Sequence, residues 1–345
     1  MKTLKNFNLK EKKVLLRSDF NVPLNKEGGI LDDFRIKKAL PTIKYLISKE
    51  AKLILMSHLG RPEGRTVERL RLTQVQNKLT EYLNISVTKS RDCVGKEVES
   101  WTKEMKSGEI LLLENLRFHQ EEVINDEKFA KELSKLGEIY INDAFSVCHR
   151  IHASIVGIPK YLPAGAGFLL EKEIKVLAEL IKNPKKPLLA IIGGKKAETK
   201  AKLIDKISEI GEGVLISGLI AREIKEKNIK LKNPKKVFFP IDEIDGKDIG
   251  PKTLEIFKEK IKLAETIIWN GPLGMFEEKE YEKGSREIAK TIAESEVFSV
   301  AGGGETLEFI NKIGLSSGFN HLSTGGGAML DFIVDGSLVG IEILK

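Results

Sequence analysis

Short apolar runs recur along the chain, and between them the apolar positions fall into three-and-four spacing. The runs of the first half are VLL at 14–16, LILM at 53–56, ILLL at 110–113 and IYIN at 139–142. Those of the second half are LLAII at 188–192, GVLI at 213–216, VFF at 237–239, TIIW at 266–269 and FSVA at 298–301. Short continuous runs predict strands, and the intervening periodicity predicts amphipathic helices. In 126–136, DEKFAKELSKL, the residues Phe129, Leu133 and Leu136 share a face, with Asn125 as the expected cap and Gly137 as the stop. In 170–183, LEKEIKVLAELIKN, the face is Ile174, Leu177, Ala178 and Ile181, and Pro184 and Pro187 end it. Strand–helix–strand order predicts an α/β protein: two three-layer domains with parallel sheets, joined near 161–187 by this helix and a hinge.

Length supports two domains, since 345 residues exceed the ~250–300 at which single cores stop growing. The chain is 41% hydrophobic and 31% charged, and no apolar run approaches the ~20 residues that span a bilayer. The start, MKTLKNFNLKEKK, lacks the apolar segment of a signal peptide, and only two cysteines occur, Cys93 and Cys148. A cytoplasmic protein without a disulfide framework, and without a membrane partner, is expected. The net charge of +7 keeps a nucleic-acid-binding reading open. Against it, the lysines are interleaved with glutamate, as in Glu171–Lys172–Glu173, which marks a solvated face.

The chemistry sits at the strand exits. In the first half SDFNVP, SHLGRP, ENLRF and DAFSVCHRIHAS follow the apolar runs and carry Asp19, Asn21, His58, Arg61, Arg117 and Arg150; Arg35 begins the helix after DD. In a parallel sheet these exits share one edge, where guanidinium forks suit phosphate and carboxylate oxygens. In the second half the exits are glycine-rich: GGKK at 193–196, NGPLG at 270–274, GGGET at 302–306 and TGGGAM at 324–329. Glycine lets backbone N–H groups approach phosphates, and Glu305 and Thr324 are suited to lie near a hydrated magnesium ion. An anion face on one half and a nucleotide-phosphate face on the other imply phosphoryl transfer, although GxxxxGK[ST], GxGxxG, HRD and DFG patterns are absent.

Taken in series, RSDFNVPL (17–24), DDFRI (32–36), SHLGRP (57–62), LLLENLRFHQEE (111–122), NDAF (142–145), HRIHAS (149–154), IIGG (191–194), DIGPKT (248–253), WNGPLGMFE (269–277), GGGET (302–306) and STGGGA (323–328) strongly resemble the phosphoglycerate kinase family. The resemblance implies two Rossmann-like domains: 1–160 binding 3-phosphoglycerate or 1,3-bisphosphoglycerate, 188–330 binding ADP or ATP with Mg2+, and 331–345 returning to the first. It implies a monomer that closes about a hinge and exchanges a phosphoryl group between the acyl phosphate and ADP, as glycolysis requires. Carried over by position, Asp19, Asn21, Arg35, His58, Arg61, Arg117 and Arg150 would bind the phosphoglycerate. Arg35, Lys200 and Gly326 would serve the transferring group, Lys196 and Lys200 the nucleotide phosphates, and Glu277 the ribose. Gly193, Gly194, Gly218, Asn270, Gly303, Gly304, Thr306, Gly325, Gly326 and Gly327 would complete the nucleotide site, with Glu305 toward the metal.

The chain departs from the family in the second half. Glu305 stands where the family has aspartate, Ser217 and Leu219 replace glycines near the base, and 221–250 is shortened as if a helix were missing. Lys195, Glu198 and Thr199 also differ from the usual turn. A protein whose nucleotide site has decayed and which only binds anions is the alternative. Cys148 and His149 are sequence neighbours that point apart, which argues against a catalytic dyad, and with His152 they lack a fourth zinc ligand at usual spacing. Trp269 is expected in the core, and Trp101 carries no assignment.

Overall fold

The computed structural model describes residues 1–345, which divide into two compact units: Met1–Ile174 with Ser337–Lys345, and Lys175–Gly336. The first unit runs past 160, and the division falls inside the helix Phe168–Lys182. The helix Gly327–Asp335 stays with the second unit, and only the residues from 337 rejoin the first.

The first unit holds a six-stranded sheet built from β1 (Lys13–Arg17), β2 (Lys52–Met56), β3 (Val87–Lys89), β4 (Ile110–Leu112), β5 (Ile139–Asn142) and β6 (Ala164–Ala166), in the order β3-β4-β2-β1-β5-β6. Every pairing is parallel. The central strands are buried on both faces, which is why they read as unbroken apolar runs. Val14, Leu16, Leu53, Leu55 and Ile141 pack against Ile36, Ile43 and Leu46 of the helix Phe34–Ser48 in one core. The helix Glu127–Ser134 is capped by Asp126, whose carboxylate accepts the Phe129 N–H at 2.8 Å, not by Asn125. Asn125 turns the chain at φ 58° instead, one residue earlier.

The second unit contains β7 (Leu188–Ile192), β8 (Gly213–Ile216), β9 (Val237–Phe238), β12 (Thr266–Asn270), β13 (Phe298–Gly302) and β14 (His321–Ser323), parallel and ordered β14-β13-β12-β7-β8-β9. A separate antiparallel ribbon joins β10 (Glu243–Ile244) to β11 (Asp248–Ile249). Counted within the unit, the large sheet has the order 3-2-1-4-5-6 of a dinucleotide-binding fold read from its far edge, and the order reverses between β7 and β12. In the first unit the corresponding reversal lies between β1 and β5. Ligands bind outside the carboxyl ends of strands at such points.

At the β7–β12 reversal the two backbones touch: Gly193 N–H donates to the Asn270 carbonyl at 3.0 Å and Gly194 N–H to the Pro272 carbonyl at 2.8 Å. A Cβ on Gly193 would collide with the Pro272 carbonyl, which is backbone and cannot swing away. Gly193→Ala is therefore expected to cost about 3 kcal/mol, the upper end of overpacking. A urea midpoint unchanged from wild type would contradict this close approach.

Candidate active site

The exits of β4, β2, β1 and β5 lie side by side in the first unit and deliver the predicted anion-binding residues to one edge. Asp19 is the organising carboxylate. It accepts from the Arg35 guanidinium and the Ser146 hydroxyl, and its Oδ1 takes the Asn21 N–H at 2.9 Å. Burial pushes its carboxyl up, but Arg35, the Ser146 hydroxyl and the Asn21 amide together hold it well below the usual carboxylate range. Asn21 Oδ1 accepts the Gly60 N–H at 2.8 Å, and Arg117 donates to the Gly60 carbonyl at 2.9 Å, so the β1, β2 and β4 loops are laced together. Asn115 reinforces this, accepting the Leu59 and Arg117 amides at 3.2 and 3.1 Å.

The cluster carries an excess of positive charge. Burial and the neighbouring Arg17 and Arg150 press Arg117 down to about 10, still a cation at neutral pH. Burial, with Arg117, Arg17 and Arg150, presses His152 down to about 3. Burial likewise lowers His58 well below its ordinary value, with Asp19 opposing and Arg17, Arg117 and Arg35 adding to the shift. Both imidazoles are neutral, because a second cation beside several guanidiniums has too little counter-charge. Arg61 and Arg150 are exposed, as an arginine awaiting a solvent-borne anion must be. Two carboxylates, Asp19 and Glu122, offset the four guanidiniums of Arg17, Arg35, Arg117 and Arg150, which leaves a focused positive potential.

Arg17 was not among the residues assigned from the sequence. It is fully buried at the end of β1, donating to Ser154 Oγ at 2.9 Å and to the Ser18 carbonyl, and it lies 3.1 Å from His58 Nδ1. Ser154 in turn binds the buried Glu122 through its hydroxyl at 2.6 Å and its amide at 2.9 Å. A charged residue ending an otherwise apolar strand was the available signal for Arg17, since a buried charge needs built partners. Glu122 gave no such signal within the polar HQEE stretch.

In the second unit Lys200 lies on the buried face of the helix Ala197–Ile210, in register with Ala197, Ile204 and Ile207. The periodicity that packs the helix thus delivers an ammonium inward, where it donates to the Gly193 carbonyl. Burial lowers its pKa to about 8, with Glu305 and Glu223 opposing the shift. Asn270 donates to the Gly302 carbonyl at 2.8 Å, and Thr306 Oγ1 accepts the Gly271 N–H at 2.7 Å, so both pin the β12 exit to the β13 exit. Trp269 is buried in the core, its indole N–H on the Gly271 carbonyl at 2.8 Å. Gly303, at φ 103°, opens the helix Gly304–Lys312, and Gly326, at φ 53° and followed by Gly327, opens the helix Gly327–Asp335. Gly325 N–H is taken by Ser323 Oγ at 3.1 Å. The helix Gly327–Asp335 packs on Ala197–Ile210, and the Lys200 ammonium lies against Gly194 and Gly271 at the β7 and β12 exits.

A cleft runs along this edge, lined by Gly194, Ser217, Gly218, Leu219, Glu277 and Glu305. Lys196 is exposed at φ 68°, and its amide and that of Ala197 are held by the Glu223 carboxylate at 3.2 and 2.8 Å. Cys148 is buried with its thiol pushed up to about 12, far from the reactivity a nucleophile requires.

Two α/β units, one presenting a guanidinium cluster and the other amide-rich helix starts with a buried lysine at a sheet-reversal cleft, define a phosphate-handling protein of the nucleotide-dependent transferase class. The phosphoglycerate kinase family model matches residues 4–236 and 222–335, and the chain belongs to that family. It is 42% identical to phosphoglycerate kinase of Dictyoglomus turgidum, covering 99% of this chain and 98% of the relative. It is 40% identical to that of Aquifex aeolicus, covering 96% and 95%. Among solved structures, phosphoglycerate kinase from Pyrococcus horikoshii superposes with a TM-score of 0.88 at 33% identity, over 100% of this chain and 98% of that one. The Coxiella burnetii structure gives 0.82 at 31% identity, over 99% and 98%. The family match breaks within 222–236, at the start of the shortened stretch. No helix is long and apolar enough to cross a membrane.

Proposed function

We propose that the chain catalyses reversible phosphoryl transfer between 1,3-bisphosphoglycerate and ADP, giving 3-phosphoglycerate and ATP. The observation that carries this is family membership over nearly the whole chain, together with the retained Lys200. The first unit takes the phosphoglycerate: Arg61, Arg117, Arg150 and His58 bind its phosphate and carboxylate oxygens, while Asp19 and Asn21 hold the loops and orient Arg35. The second takes the nucleotide: Lys196 and Lys200, with the amides of Gly303, Gly304, Gly326 and Gly327, bind phosphates; Gly193, Gly194 and Gly325 donate their own amides to Asn270, Pro272 and Ser323 and let the phosphates approach by having no side chain, while Asn270 and Thr306 brace that backbone. Gly218 flanks the base, and Glu277 binds the ribose.

The attacking oxygen of the ADP β-phosphate is already ionised at neutral pH, and the leaving carboxylate needs no proton. The chain's work is alignment and charge neutralisation of the transferring PO₃ by Arg35, Lys200 and the Gly326 amide. Closure of one unit toward the other brings the reactants together and excludes the water that would hydrolyse the acyl phosphate. Glu305 is the carboxylate at the phosphate end of the cleft, and one carboxylate beside phosphate oxygens is a donor set that suits Mg2+. When bound there, Mg2+ would neutralise phosphate charge, held by Glu305 with water and phosphate oxygens completing its shell. We place the enzyme in the cytoplasm, acting as a monomer on small molecules. A decayed nucleotide site is disfavoured, because Lys200, Asn270 and Thr306 keep a fully engaged hydrogen-bond frame. Mixing 3-phosphoglycerate, ATP and Mg2+ is expected to release ADP only when 3-phosphoglycerate is present, and ADP release independent of it overturns the assignment.

A further inference from the structure

The part of the cleft lining formed by the shortened stretch is charged. Arg222 donates to Glu243 and, through its other Nη at 2.5 Å, to the Gly246 carbonyl. The Glu243 carboxylate lies directly over Gly218: a Cβ built there would meet its carbon and both oxygens at 2.5–2.6 Å. Glu243, Gly246, Lys247 and Asp248 belong to the β10–β11 ribbon and line the cleft with Arg222. The ribbon is held in place at its turn. Tyr281 Oη donates to Asp245 at 3.0 Å, Lys247 reaches Glu278 at 2.9 Å, and Asp245 and Gly246 turn at φ 50° and 66°. This acceptor–donor pair is therefore fixed before any ligand arrives.

Resting on the nucleotide reading above, we infer that Glu243 and Arg222 read the base edge and select guanine over adenine. A carboxylate only accepts hydrogen bonds, and a guanidinium only donates them. Guanine offers N1–H and 2-amino donors side by side with an O6 acceptor next to them, which matches Glu243 followed by Arg222 group for group. Adenine turns a bare N1 acceptor toward the carboxylate, sets its 6-amino donor against the guanidinium and has no 2-amino group, so one pairing is lost and two contacts are repulsive. Glu243 and Arg222 side chains are 27% and 38% exposed, so water competes and the discrimination is moderate.

The test is steady-state kinetics of the full chain with 3-phosphoglycerate, Mg2+ and ATP, GTP or ITP, the last lacking the 2-amino group. The expected result is a kcat/KM for GTP at least equal to that for ATP, with ITP below GTP. Glu243→Leu is expected to lower the GTP:ATP ratio about tenfold, the scale of one charge-assisted hydrogen bond in a half-exposed site, and to act through KM. A purely structural role for Glu243 would lower both nucleotides together and leave the ratio unchanged, which overturns the inference. A wild-type preference for ATP of tenfold or more overturns it too, without any variant. Turnover with ATP and not GTP leaves the kinase reading standing, whereas no turnover with any nucleotide removes both.

Discussion

Lys200→Met is expected to lower kcat by at least about 100-fold while leaving the protein at least as stable at pH 7. The kinetic half follows from losing one preorganised cation at the transferring phosphoryl. The stability half follows from burial. Lys200 falls from 10.5 to about 8 on folding, so between those values the unfolded chain binds more protons and stability rises with pH. At pH 7 the buried ammonium therefore costs on the order of 3 kcal/mol. Methionine removes that cost, offset in part by about 1–3 kcal/mol for the Gly193 carbonyl left without its donor. Urea midpoints of the two proteins are expected to differ in the variant's favour below pH 8 and to draw together as pH rises toward 10.5. A variant that turns over within tenfold of wild type contradicts the catalytic role, and a stability gap that ignores pH contradicts the burial argument.

Arg35→Ala is expected to reduce kcat by about 100-fold or more, again the scale of one lost donor at the transition state. Arg35→Lys recovers little of it, because a point charge does not reproduce a planar fork. The same change has a signature in acid. Asp19 is held below its unfolded value, so it adds stability above about pH 4 that fades as pH falls toward its folded value. Without Arg35, the partner that most lowers it, the folded value rises and the acid unfolding midpoint moves to higher pH. Single-turnover and steady-state rates with both substrates saturating measure the first effect, and an acid titration followed by circular dichroism measures the second. Turnover close to wild type, or an unmoved acid midpoint, contradicts the role given to this pair.

Eight of the nine strands with apolar runs were legible because their centres are buried and unbroken, from VLL within β1 to FSVA within β13; the ninth, β9, is a two-residue edge strand whose run ends in the exposed Phe239. The strands that escaped are short or weakly apolar: β3 is VTK with an exposed threonine, β6 is AGA, β14 is HLS, and the β10–β11 ribbon has two residues per arm. Such strands are defined by their neighbours, not by their own side chains. At the site, exits named by arginine, glycine and lysine could be read directly. Arg17 offered one signal, its charge at the end of an apolar strand; Glu122, Ser154 and Ser146 offered none, since their roles depend on partners far along the chain, such as Ser146 on Asp19 and Ser154 on Arg17. Glu223 and the Arg222–Glu243 pair lay within or beside the shortened stretch, where family spacing offers no guide.

The first unit is joined by Ser337–Lys345, which follow the whole of the second unit in the chain. Gly340 N–H meets the Cys148 carbonyl at 2.8 Å, and a Cβ on Gly340 would strike Cys148 and Ile155, so the tail is fitted into the loop that follows β5. During synthesis that seat stands vacant until the ribosome has passed the whole of the second unit. Birth order and assembly order therefore differ in this chain, because residues translated after the second unit are seated in the first.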